Sequence, residues 1–495
     1  MLETIKEPNF ILACDAYKGG HWEEIPFGIK KSYSAIVPRK QSKYAKEIVA
    51  MGATMVGHIM ATIRITDAMI DEAEIEITEQ GYNFNRQGWE RIAHEYDGKL
   101  PLAVYGVEEG RVVAPQTPIL GIINTDDYSA WLVSYVETWT HGIMWFMSTV
   151  SSICRVTRMT IKEFMVMTGS DLAMLDYKCH NFGNRATTPE SAIYAGIAHA
   201  VCFLGSDCTE ANGYIKKLYN TTKAYTSSVE ATEHATMCAH SDSANKDDSG
   251  AAKMVMKRLA AVVKRAKAGV GIPVMSCVID TYDSRRYVRQ FMGVDHHDEI
   301  VNSGGKLVAR PDSGDILIEP VTVAEDLKEF FGGAVNAAGY YTLAPCVGIL
   351  QGDGIRVETV RPVLQSFVDS KFSIDNLVLG MGHGTTHAGA RDDFSFSMKA
   401  IAQYDGTHWV RMKKEPITDS GKNSLSGLVR CGEDEAGNLI VFDALANGQE
   451  FSFLTESPGW RLYSENGHKV YRPKFDEVRA RGCADSVVVE MLKAA

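Results

Sequence analysis

Four apolar runs dominate the second half of the chain: VMSCVID (274–280), LVARPDSGD (307–315), VGILQGDG (347–354) and NLVLGMGHG (376–384). Each ends abruptly in acids or glycines. Each is too short for an ordinary helix and rich in Val, Ile and Leu, the composition of a strand buried on both faces. Roughly 25 to 40 residues separate them, room for one strand, one helix and two loops. This alternation predicts a parallel α/β barrel, whose C-terminal strand ends carry the chemistry.

Elsewhere the pattern changes. The first 110 residues mix strand-like pieces (KKSYSAIVPRK, PLAVYGVEEGRVV) with a helical stretch, EIVAMGATMVGHIMATIRITDAMIDEAEI. VYGVEEGRVVAPQTPIL turns on Gly and Pro and predicts a small antiparallel sheet. From about Asp127 to Met167 the period is helical, and strand-then-helix alternation follows to about residue 390. The tail returns to antiparallel signals in THWVRMKK, NLIVFDAL and HKVYRPK. The two ends resemble each other more than the middle. The expected architecture is an irregular parallel α/β barrel of residues 146–390, flanked by a layered α+β domain made from 1–145 and 391–495.

Composition narrows the function classes. With 495 residues, 45% hydrophobic and 23% charged, the chain can bury a large core. A net charge of −11 argues against nucleic-acid or anionic-membrane surfaces, so an anionic ligand must meet a local cluster of Arg and Lys. The ten cysteines form no C-x-x-C pair, as expected of reduced thiols in a cytoplasm. Met1–Pro8 carries Glu3, Lys6 and Glu7 and lacks the apolar core of a signal peptide. The most hydrophobic long stretch, Ala130–Val150, is interrupted by Glu137 and His141 and reads as a buried or dimer-facing helix.

At the strand ends, Asp280, Arg310, Asp312, Gly352, Asp353 and glycines 380, 382 and 384 are placed to converge on one pocket. Such a rim suits a phosphorylated sugar: carboxylates take ribose hydroxyls or a metal, and bare backbone N–H groups cradle phosphate. Two further segments carry chemistry. KCHNFGNR (178–185) offers Phe182 as a stacking ring and Arg185 three residues on, and SSVEATEH (227–234) ends in His234, a candidate acid/base or phosphoryl acceptor.

NFILACDAYKGGHW, NFGNR, GSD (205–207), EH (233–234), IDTYD, RPDSGD, LQGDG and the Arg391–Lys399 segment occur in that order. From Asn9 to about Lys422 the chain thereby resembles the nicotinamide phosphoribosyltransferase family; RPDSG followed by QGDG is the specific combination. The resemblance implies a type II phosphoribosyltransferase, a homodimer with shared active sites. Its implied reaction joins nicotinamide to phosphoribosyl pyrophosphate, with Mg²⁺ and with ATP used to phosphorylate a histidine. Carried over by position, Phe182 and the partner-derived Tyr17 sandwich the pyridine ring, Asp207 accepts the carboxamide N–H, and Arg310 donates to its oxygen. Ser228 and Ser276 neighbour the amide. Asp312 and Asp353 hold ribose hydroxyls, with Gly352 beside them. Arg185 and Arg391 face phosphates, Arg39 and Lys399 bracket the pyrophosphate, and His234 is phosphorylated with Asp280 supporting its ring.

The chain departs from the family at the phosphate loop. It reads GMGHGTTHAGARDD, with His383 between Gly382 and Gly384 where the family has glycine. A side chain there narrows a backbone cradle for a terminal phosphate, and Thr385 and Thr386 are expected to add donors to a wider mouth. This loop leaves open an altered donor, ADP-ribose pyrophosphate, which would give NAD in one step. The alternative from another class is a non-catalytic nicotinamide- or nucleotide-binding protein. His383 and His387, four apart, also raise a metal pair, with no third ligand evident in the sequence.

Overall fold

The computed structural model describes residues 9–387, 389–446 and 456–485. The charged opening Met1–Pro8 therefore lies outside the described residues. Two units result. The first comprises residues 1–152, 214–223 and 389–495, and the second 153–213 and 224–388. The sequence pattern did not single out Tyr214–Lys223, the end of a helix grouped with the first unit.

The first unit is built on a seven-stranded sheet, and its strand order interleaves the two chain ends. Lys31–Val37 pairs antiparallel with Leu120–Asn124 on one side and with Ser397–Tyr404 on the other. Leu102–Gly106 pairs with Leu120–Asn124 and, from the tail, with Arg461–Glu465. Apolar residues of both ends fill one core, among them Tyr33, Ile36, Val104, Ile122, Trp460 and Tyr463. The helical stretch after residue 47 is broken up. Ile48–Val49 is a short strand, and helices Ala53–Thr62 and Asp67–Glu79 are separate. The β-branched Ile63, Ile65 and Thr66 favour extended backbone, and the Thr66 side chain caps the second helix by accepting from Met69 N. The helical period before Met167 begins only at Leu132, and HKVYRPK yields only the strand His468–Lys469.

The second unit holds a curled parallel sheet in the order Glu230–Ala231, Val274–Val278, Lys306–Arg310, Val347–Gln351, Leu377–Met381, Cys179–Asn181. Its four central strands are the four apolar runs, adjacent and in register. Parallel bridges Asn181↔Ser206 and Gly205↔Ser227 lead from the last strand back to the segment entering the first. Helices such as Ser249–Lys267 cover the outside. Ala252, Val255, Met256, Leu259, Val262 and Val263 recur at helical spacing on its buried face, while Lys264, Arg265 and Lys267 complement its C-terminus. Among the described residues no helix is long and apolar enough to cross a membrane. The ten cysteines are free thiols.

Candidate active site

The strand ends of the second unit bring their side chains together as parallel-barrel topology requires. Phe182 follows strand Cys179–Asn181, and its backbone N–H donates to Met381 O (2.9 Å) at the end of the neighbouring strand. Its ring lies on the backbone of Gly380. A Cβ at position 380 would stand 2.3 Å from Phe182 Cε2 and 2.8 Å from Cδ2, so only glycine leaves room for the ring. The Arg310 guanidinium sits 5.8 Å from the centre of that ring. Its Nη2 donates to Thr232 O (2.5 Å), and its Nε is buried without a hydrogen-bond partner.

Asp207 is linked to this ring through His180, which contacts both. His180 Nε2 lies 2.9 Å from Asp207 Oδ1, and Ser228 Oγ donates to the same oxygen at 2.6 Å. Among the described residues Oδ2 has no hydrogen bond. Burial alone would raise the Asp207 carboxyl; the donors His180 and Ser228 and the Arg310 charge outweigh it and hold the group below the usual range. Ser276 Oγ is buried without a partner. Together with His180 and Ser228 it lines a cavity of about 1090 Å³ that runs along the barrel interior to Ile272 and Gly304, which precede the strands.

A second cluster surrounds His234. Its Nε2 is 3.1 Å from Asp280 Oδ1 and its Nδ1 3.9 Å from Asp312 Oδ2. Asp280 is buried. Its other oxygen accepts from Asp312 N (3.0 Å) and from Ser313 Oγ. A carboxylate only accepts, so Nε2 donates to Asp280 and Nδ1 is left facing Asp312. Gly352 allows Asp312 to stand where it does, because a Cβ there would meet Asp312 Oδ1 at 2.6 Å. Asp353 and Arg185 are exposed, and their side chains form no hydrogen bond or ion pair among the described residues.

The phosphate loop differs from expectation. His383 opens a single helical turn, His383–Thr386, directly after the strand. Thr385 and Thr386 are buried: Thr385 Oγ1 donates to Met381 O and Thr386 Oγ1 meets His387 Nδ1, so neither widens the mouth as a donor. The helical turn fixes both threonines inward. His383 and His387 are exposed and stack face to face, with centroids 4.5 Å apart and 7° between planes. Ring lone pairs lie in the ring planes, so the stack does not converge them on a metal. Among the described residues no group of three or more His, Cys, Asp or Glu could hold a metal ion.

Tyr17, Arg39, Arg391 and Lys399 belong to the first unit. Tyr17 is half exposed. Arg39 is held by Ser395 O and Oγ, both at 3.0 Å, and Arg391 pairs with Asp392. Lys399 approaches Glu137 (3.6 Å), which also binds the buried Lys18 at 2.6 Å. The sequence reading missed His180. It lies in strand Cys179–Asn181, two residues before Phe182, which follows that strand, and its ring contact with Phe182 shows only in the structure.

Comparison with known proteins gives a consistent picture. Residues 177–448 match the model of the nicotinate phosphoribosyltransferase family, and residues 9–104 that of the nicotinamide phosphoribosyltransferase N-terminal domain. A nicotinamide phosphoribosyltransferase of Xanthomonas campestris pv. campestris is 32% identical over 486 residues, covering 96% of this chain and 98% of the relative. One of Acinetobacter baylyi is 28% identical, covering 96% and 97%. Among solved structures, a nicotinate-nucleotide pyrophosphorylase from Pyrococcus furiosus superposes with a TM-score of 0.59 at 15% identity, covering 97% of this chain and 96% of that one. Human nicotinic acid phosphoribosyltransferase gives 0.53 at 14% identity, with 94% and 92% covered. These two likenesses support the fold.

Proposed function

The chain belongs to the nicotinamide phosphoribosyltransferase family, and on that premise we propose that it joins nicotinamide to phosphoribosyl pyrophosphate, giving nicotinamide mononucleotide and pyrophosphate in NAD salvage. The observation that carries the choice of base is the grouping of a ring, a carboxylate and a guanidinium: Phe182, Asp207 and Arg310. A carboxamide donates on one side and accepts on the other. Asp207 takes its N–H and Arg310 serves its oxygen, whereas the charge of nicotinate would face Asp207 and be repelled.

The reaction needs positioning and charge stabilisation more than proton transfer. The pyridine nitrogen attacks ribose C1, a C–N bond forms, and the C–O bond to pyrophosphate breaks with its electron pair leaving on oxygen. The ring nitrogen carries no hydrogen and ends with the positive charge, so this step requires no general base. Phe182 and, from a second copy in a homodimer, Tyr17 hold the ring for in-line attack. Asp312 and Asp353 accept from ribose hydroxyls and oppose the positive charge developing at C1. Gly382, Gly384 and Arg185 face the 5′-phosphate. The family resemblance assigns Arg391, Arg39 and Lys399 to the leaving pyrophosphate. Mg²⁺, when bound with the donor's phosphates, would neutralise the leaving group, and Asp353, whose side chain has no hydrogen bond or ion pair among the described residues, would be available to hold it. His234, with Nε2 held by Asp280, is the residue that would accept a phosphoryl group from ATP, with ADP as the leaving group.

A second donor is favoured by one observation. The exposed His383–His387 stack replaces bare backbone at the phosphate loop, and it offers ring faces and N–H groups to a phosphodiester leading into adenosine, as in ADP-ribose pyrophosphate. Pyrophosphate release and product mass, measured with each donor offered separately beside nicotinamide, test both readings. Release with neither donor would leave only a binding protein. On His383→Gly the readings diverge in sign: donor KM is unchanged or improved for phosphoribosyl pyrophosphate, but worsened for an ADP-ribosyl donor.

A further inference from the structure

His180 occupies a place the reaction scheme leaves unused. It is buried on the strand that leads into Phe182, and two groups of the base cradle rest on it. Its ring centroid is 4.8 Å from that of Phe182, tilted by 42°. Its Nε2 is 2.9 Å from Asp207 Oδ1. The ring in turn has a prepared seat: a Cβ at Gly205 would stand 2.9 Å from Nδ1, so the glycine two residues before Asp207 admits the imidazole. Backbone pairing holds the same corner. Asn181 N donates to Gly205 O and Asp207 N to Asn181 O, both at 3.0 Å.

From this geometry we infer that His180 is a positioning residue that sets the preference for an amide over an acid. The inference rests on the nicotinamide reading above and deepens it. Asp207 has two carboxylate oxygens and a free choice of rotamer in an exposed setting, since 46% of its side chain is open. Two donors, His180 from the strand side and Ser228 from the loop side, both hold Oδ1 and leave Oδ2 without a hydrogen bond among the described residues, the oxygen available to the base. An acceptor-only group must be matched by a donor, so His180 presents Nε2–H and the carboxylate stays ionised against it. The same ring wedges Phe182 against Gly380. Without His180, Oδ1 is free to turn toward the base or toward solvent, and the direction that repels nicotinate is lost along with the one that accepts the amide.

The test is the ratio of kcat/KM for nicotinamide to that for nicotinate in the full-length enzyme, read for wild type, His180→Ala, His180→Gln and His180→Asn. Glutamine carries an N–H at about the reach of Nε2, while asparagine is one methylene short. His180→Ala should raise nicotinamide KM and lower the ratio at least tenfold. His180→Gln should restore most of the ratio and His180→Asn should not. A merely structural role would lower both substrates together and leave the ratio in place. An unchanged ratio in a folded His180→Ala protein overturns the inference, as does a ratio that His180→Gln fails to recover. If His180→Ala does not fold, the Gln and Asn variants decide: equal ratios overturn the inference. A wild type that does not turn over nicotinamide would overturn the functional reading and this inference with it, whereas wild-type turnover with an insensitive ratio overturns the inference alone.

Discussion

Gly380→Ala isolates the seat of the stacking ring. Gly380 does not have a positive φ, so alanine adopts the same backbone without strain. The whole perturbation is one methyl group. That Cβ would stand 2.3 Å from Phe182 Cε2, whereas ordinary carbon contacts begin near about 3.5 Å, so the ring must move by about 1.2 Å. Phe182 is only partly buried and can yield, so the cost falls on placement more than on stability. Misplacing a reactant by about 1 Å costs on the order of 10²-fold in rate. The expected result is a roughly hundredfold loss in kcat/KM for nicotinamide, with donor KM and melting temperature nearly unchanged. Steady-state product formation and a thermal melt on the same preparations measure both. Phe182→Ala supplies the control through a double-mutant cycle: once the ring is gone, adding Gly380→Ala should cost little more. A Gly380→Ala enzyme within twofold of wild type, or full additivity with Phe182→Ala, would refute the contact as the seat of the base.

Three further expectations follow from the same geometry. Asp207→Asn removes a charged acceptor, a loss of about 2 kcal/mol or roughly 30-fold in nicotinamide kcat/KM, and should relatively favour nicotinate; unchanged nicotinamide kinetics would remove Asp207 from the site. Tyr17→Ala and Phe182→Ala proteins, each weak alone, should regain part of the activity when mixed, because a hybrid dimer carries one intact sandwich; absence of any recovery would contradict shared sites. Burial, followed by Lys469 and neighbouring cations for His58, pushes His58 and His141 down to about 4. Their folded pKa lies below the unfolded value. The stability they contribute is therefore full above about pH 6.5 and is lost as pH falls toward 4, and His141→Gln should flatten that acid slope in denaturant titrations.

Much of the barrel was legible because its strands are buried on both faces and end in chemically distinctive residues. Asp280, Asp312 and Gly352 come from different runs yet meet within one cluster, as parallel topology dictates. Loop threonines were misread, because Thr385 and Thr386 look polar in sequence while a single helical turn directs them inward. The closing bridges Asn181↔Ser206 and Gly205↔Ser227 involve single residues and leave no periodicity to detect. His180 was missed for a related reason. A lone histidine in a buried strand has no motif of its own, and its links to the site are tertiary contacts with Phe182 and Asp207. Tyr17, Arg39, Arg391 and Lys399 were assigned through family resemblance, since no pattern within the first unit marks them as ligand-facing.

The central claim is that this site converts an amide and rejects the acid with phosphoribosyl pyrophosphate as donor. Its most direct test is a competition in one vessel. Equimolar nicotinamide and nicotinate are offered with limiting phosphoribosyl pyrophosphate and Mg²⁺, and the two mononucleotides are resolved by chromatography and mass spectrometry. The account predicts nicotinamide mononucleotide in large excess with matching pyrophosphate. Nicotinate mononucleotide as the main product, or no mononucleotide at all, would contradict it.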